Sequence, residues 1–179
     1  MTEIIVFPDE KLHTKCVECD VHDKSLVKLS TTMAKLMYDN RGVGIASPQI
    51  GENKRIVVVD CDYDVDKKNT RDPLILVNPE ILEVSEETTE ETEGCLSCPG
   101  ISVPVKRHES VKVRFFDLNA DEWELSADGL LSRCLQHEID HLNGITLFEA
   151  CDPQTRLDAL EAYEIAKRNG AKPGDIGEE

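Results

Sequence analysis

A chain of 179 residues with 40% hydrophobic and 31% charged content fits one globular domain with a proper core and argues against an intrinsically disordered protein. The formal net charge of -16 argues against binding to bare nucleic acid or to an anionic membrane surface, because each phosphate contact needs a Lys or Arg. The first residues, Met1 to Pro8, have no basic lead and only a four-residue apolar run, and no stretch reaches transmembrane length, so the expected setting is cytoplasmic. In that setting the seven cysteines read as reduced thiols, free to bind metal.

In chain order, residues 4 to 7 suggest an edge strand closed by Pro8-Asp9. Leu26, Leu29, Met33, Leu36 and Met37 recur at helical spacing, predicting a helix from Asp23 to Asn40 with Asp23 as N-cap and Asn40-Arg41-Gly42 as the stop. Two glycines follow in Gly42-Val43-Gly44, too few for a dinucleotide loop but small enough for another backbone to come close; Gln49 adds an amide that can donate or accept. Residues 55 to 61 contain a β-branched run and predict a buried strand, and 62 to 72 a surface loop. Strands are expected over 74–77 and 81–84, on either side of Asn78-Pro79, and the acidic stretch 85–93 as a solvated loop or strand edge. Residues 111–116 and 123–125 alternate around Asn119-Ala120-Asp121 and predict a hairpin.

Ser126 is expected to open a buried helix that Asn143-Gly144 ends, and Asp152-Pro153 to open a last helix with Leu157, Leu160 and Tyr163 on one face. The expected fold class is therefore α+β, with antiparallel sheets packed around a buried central helix and a C-terminal helix. Residues 1–170 form one domain, and 171–179 a short, mobile acidic tail.

The buried helix carries Gln136-His137-Glu138-Ile139-Asp140-His141. Histidines at i and i+4 share a helix face and can share one ion, with the glutamate beside it to take a proton from a bound water. A catalytic site of this kind wants a third protein ligand. Leu147 stands where a metzincin has its third histidine. Cys134 is seven residues from His141, roughly 10 Å along the axis, too far to share an ion with it. Glu161 or Glu164 would give a gluzincin-like peptidase, and remains the runner-up. Cys95, in a stretch rich in small residues, is favoured, although Cys95 and Cys98 also form a C-x-x-C pair.

Gly42 to Gln49, Glu93-Gly94-Cys95-Leu96-Ser97 and Gln136 to His141 together resemble the three motifs of peptide deformylase, in the family's order and separations, over residues 3 to 168. The resemblance implies Cys95, His137 and His141 as ligands of one divalent metal ion, iron(II) first, with zinc(II) or another divalent metal as the alternative. It implies Glu138 as general acid/base, with the Gln49 side chain and the Leu96 N–H as donors to the developing oxyanion. Gly44 would pair with the substrate backbone, Gly94 would also bind substrate, Val43, Leu130, Arg133 and Cys134 would lie at the methionine pocket, and Glu93 would pair with Arg107. The reaction implied is removal of the N-formyl group from the initiator methionine of nascent peptides, by attack of a metal-bound water on the formyl carbon.

Three departures stand out. Ser47 replaces the usual alanine, Cys98 a common aliphatic, and Glu91 and Arg133 put charge beside the expected methionine pocket. From Asp152 onward seven acidic residues face four basic ones, a net of -3, which predicts at most weak, transient contact with the ribosome. Against the enzyme stand the gluzincin-like peptidase and a non-catalytic metal-binding protein; the joint presence of Glu138, Gln49 and Gly44 argues against the latter.

Overall fold

The computed structural model describes residues 2–177. Helix α1 spans Ser25–Asp39, strands β1 to β3 span Gly44–Ala46, Ile56–Val59 and Leu74–Val84, and β4 and β5 span Thr88–Glu93 and Val103–His108. Strands β6 and β7 cover Ser110–Phe116 and Glu122–Asp128, followed by helices α2 (Gly129–Leu142), α3 (Leu147–Ala150) and α4 (Pro153–Arg168). Five strands form an antiparallel sheet in the order β1-β2-β3-β6-β7, while β4 and β5 make a separate antiparallel ribbon. No helix among the described residues is long and apolar enough to cross a membrane.

The run Ile-Val-Val-Val of β2 is buried throughout because both faces of the sheet are covered. Val57 and Val59 pack with Leu135, Ile139 and Leu142 of α2, whereas Ile56 and Val58 pack with Met33 and Met37 of α1. The period-2 alternation of a strand thus divides one apolar run between two helices. A third cluster joins Val103 and Val105 of β5 to Phe148 and Tyr163.

Several expectations are corrected. Residues 4–7 are not a strand; they run extended between two later segments, with the Ile5 N–H donating to Gln49 O (2.7 Å) and the Phe7 N–H to Ser97 O (2.8 Å). Tyr163 then anchors the same segment through its hydroxyl, which donates to Phe7 O at 2.7 Å. Residues 74–84 make one strand, not two, because Asn78 takes φ 51° at a bulge and the register with β6 resumes beyond it. The acidic stretch is a solvated strand edge as expected, β4 paired residue for residue with β5, except that Glu93 at its end is buried. Ser126 does not open α2, since β7 runs to Asp128 before the helix starts. Leu157 is exposed, and α4 buries Ala159 and Tyr163 instead. Residues 171–177 lie against the body, with the Gly100 N–H donating to Asp175 O (2.9 Å), and residues 178 and 179 lie outside the described residues.

Other features match their sequence signals. Arg41 adopts φ 58° where α1 stops, and Gly144 adopts φ 76° just past α2. The Asp152 carboxylate accepts from the N–H groups of Gln154 and Thr155, capping α4 directly before Pro153. Asp152→Ala is expected to cost about 1 kcal/mol, a lowering of the thermal midpoint by roughly 2–4 °C measured by circular dichroism.

Candidate metal centre

Helix α2 brings His137 and His141 to one face, with 3.2 Å between their Nε2 atoms. The turn after β4 delivers Cys95, whose Sγ lies 3.3 Å from His141 Nε2; the three ligand atoms all lie within 4.8 Å of one another. Tetrahedral ligands at ordinary nitrogen and sulfur distances from one ion stand roughly 3.3–3.7 Å apart, so the triad has the right size for a single ion. Burial works against a charged His137, yet Cys95 and Glu93 outweigh it and raise its pKa well above the ordinary imidazole value. The Cys98 side chain and burial push the Cys95 thiol up to about 11, a bias that a dication would reverse by holding the thiolate. This donor set, two imidazoles and one thiol converging on one point, fits a divalent transition metal. Glu161 and Glu164 are exposed on α4, and neither belongs to the cluster.

Glu138 sits beside the triad with its Oε2 buried and without a hydrogen-bond partner among the described residues. Burial raises its carboxyl to about 7, close to where a proton can be both taken and returned near neutral pH. Gly44 explains why the chain needs a glycine in β1. A Cβ there would stand 2.5 Å from Glu138 Oε1 and 2.7 Å from Cys134 Sγ. Gln49 is fixed by the Ala46 N–H, which donates to its Oε1 at 2.8 Å. Its Nε2 is thereby turned towards Cys95 Sγ (3.6 Å) and Ser97 Oγ (3.1 Å). The Leu96 N–H donates to no group among the described residues.

Behind the histidines lies a charged network. Glu93 accepts from Arg107 Nε (2.9 Å) and Nη2 (3.1 Å), from Arg133 Nη1 (2.8 Å), and lies 2.8 Å from His137 Nδ1. Burial alone would raise the Glu93 carboxyl, but its bonds to His137 and Arg107 outweigh burial and hold it at about 2. The bond to Nδ1 leaves His137 Nε2 for the triad. Glu93→Leu would take the shared carboxylate from two buried guanidinium groups and is expected to lower stability by about 3–5 kcal/mol, read from urea unfolding. Glu93→Gln, which keeps an acceptor, should lose less; equal losses would mean that the charge, and not the acceptor alone, carries the effect.

Val43, Gly44, Gly94, Leu130, Arg133 and Cys134 all line one cleft with His137 and Glu138. Arg133 is buried, and its guanidinium turns away to Glu93, Val105 O and Thr89 O. Sequence reasoning passed over three supporting side chains. Asp140 pairs with Arg107, Ser97 holds Gln49, and Gln136 clasps both backbone groups of His108, accepting from its N–H (3.1 Å) and donating to its O (2.8 Å). All three stand inside the quoted motifs, and that position was the available signal.

A family model described as polypeptide deformylase matches residues 1–157. A protein of Clostridium perfringens named peptide deformylase 1 is 47% identical over 142 residues, covering 79% of this chain and 91% of its own. Among solved structures, a peptide deformylase from Legionella pneumophila superposes with a TM-score of 0.84 at 39% identity, covering 94% of this chain and 96% of that one. A second, from Synechococcus elongatus in complex with actinonin, gives 0.82 at 34% identity, covering 94% and 88%.

Proposed function

The chain belongs to the polypeptide deformylase family, and from that premise we propose how its residues divide the work of the reaction. That reaction is the metal-dependent removal of the N-formyl group from newly made peptides, which consumes water and releases formate and a free amine. Cys95, His137 and His141 would hold one divalent ion, and a thiolate beside two imidazoles suits iron(II) as well as zinc(II). When bound, the ion supplies a Lewis acid that lowers the pKa of a water towards neutrality.

Glu138 takes the proton of the attacking water and later delivers it to the leaving amine. The Gln49 amide and the Leu96 N–H donate to the formyl oxygen as charge builds there, each worth about 3 kcal/mol. The Gly44 backbone pairs with the peptide as a neighbouring strand would. Val43, Leu130 and Cys134 surround the methionine side chain, with Arg133 offering its aliphatic stem because its guanidinium is held elsewhere, and Gly94 lines the cleft for the peptide. The net charge of -3 from Asp152 onward supports only a weak contact with the ribosome.

The observation that carries this reading is the convergence of Cys95, His137 and His141 beside a buried carboxylate without a partner. Its test is an assay on formyl-Met-Ala-Ser with anaerobically prepared iron-loaded protein. Release of formate is expected; none from protein with its metal fully bound would overturn the assignment.

A further inference from the structure

Beyond α4 the chain turns back across the molecule, in a stretch that the family match, ending at residue 157, does not include. A tight turn fixes its direction, with the Asp175 N–H donating to Lys172 O (2.9 Å) and the Lys172 N–H to Asp175 Oδ2 (2.7 Å). Two glycines seat it against backbone. A Cβ at Gly174 would stand 2.7 Å from Asn40 O, and one at Gly177 2.7 Å from Ser102 N. Only residues without side chains allow such an approach.

Those two anchors have different origins. Asn40 ends α1 and leads into Gly42–Gly44, whereas Ser102 follows the Cys95–Cys98 segment. The strap between them therefore spans from one motif to the other. Gly174, Asp175 and Ile176 line the same cleft as Gly44, Gly94 and Glu138. Ile176 is 79% exposed, and its Cγ2 would lie 3.6 Å from a Cβ on Gly94. A single exposed isoleucine needs no explanation on most surfaces. This one overhangs a cleft in which Val43 and Leu130 are exposed as well.

We infer that residues 174–177 form a wall of the peptide cleft and that Ile176 selects for an apolar residue directly after the formyl-methionine. The inference rests on the deformylase reading of the site. Successive side chains of an extended peptide point to opposite sides, so the residue after methionine turns away from the pocket that Leu130 and Cys134 line on α2. The strap's anchors lie on the Asn40 and Gly94–Ser102 sides of the cleft, not on α2, which is where that second side chain would arrive.

The test compares kcat/KM of the metal-loaded enzyme on formyl-Met-Leu-Ser and formyl-Met-Ala-Ser, for the natural chain, Ile176→Ser, Ile176→Val and a chain ending at Pro173. Ile176→Ser and the truncation are expected to lower the leucine-to-alanine ratio about fivefold, the size expected for one or two buried methylene groups, through KM of the leucine peptide. Ile176→Val should largely restore it. Ratios unchanged in both the serine variant and the truncation, with turnover intact, would overturn this inference alone, as would an equal rise on both peptides after truncation, which would mark the strap as a mere cover. No turnover of either peptide by the loaded natural chain would overturn the reading of the site and this inference with it.

Discussion

Cys95→Ala is expected to leave the protein folded but without its ion, with turnover of formyl-Met-Ala-Ser lower by roughly 10³-fold or more, because several kcal/mol of charge stabilisation leave with the metal. The thiol is one corner of a triad whose other corners are 3.2 Å apart, and a pair of imidazoles alone leaves a transition metal a poor site. Cys95 also belongs to the cluster around Phe148 and Tyr163, but only as a partly buried member, so its loss should be felt at the metal before it is felt in the fold. Elemental analysis after gel filtration measures the first effect and the peptide assay the second. Retention of a full equivalent of metal by Cys95→Ala would remove the thiol from the ligand set.

Glu138→Ala separates binding of the ion from chemistry. Its metal content should match that of the natural chain, while kcat falls by about 10²–10⁴, the usual contribution of a placed general acid/base. The basis is geometric first. The carboxylate is buried next to the triad, carries an oxygen without a partner among the described residues, and stands where a side chain at Gly44 would leave it no room. Undiminished turnover would mean that water loses its proton to some other group. Since Glu138 is buried without a compensating charge directly on it, the substitution should not destabilise the protein greatly, and chemical unfolding of both forms gives the control.

Helix α2 was readable because three signals coincide in it: a buried apolar pattern, the His-Glu pair with its second histidine at i+4, and a glycine stop. Its start was misplaced by three residues because Ala127 is apolar and buried, yet faces the core from a strand rather than a helix, and apolar spacing alone does not separate the two so close to a junction. Strand β5 was missed, although Val103, Val105 and Arg107 alternate inward, because its partner β4 consists of Thr and Glu and has no apolar face to announce a ribbon. The destination of Arg133 was illegible for another reason. A buried guanidinium depends on acceptors at Thr89, Glu93 and Val105, and such long-range pairing leaves no local periodicity. What had looked like charge intruding on an apolar pocket is a second cation on Glu93.

The staple made by residues 4–7 has a consequence for how the protein is built on the ribosome. Gln49 and Ser97 each accept a backbone bond from this segment, so residues 4–7 hold together pieces of both remote motifs. Phe7 is locked in turn by Tyr163, a separation of 156 residues. At a synthesis rate of about 5–20 residues per second, Phe7 waits roughly ten to thirty seconds for that partner to be made. Contacts of such long range close late in folding. An enzyme that acts on newborn chains thus has a segment of its own whose last bond closes only after a partner 156 residues further on has been translated.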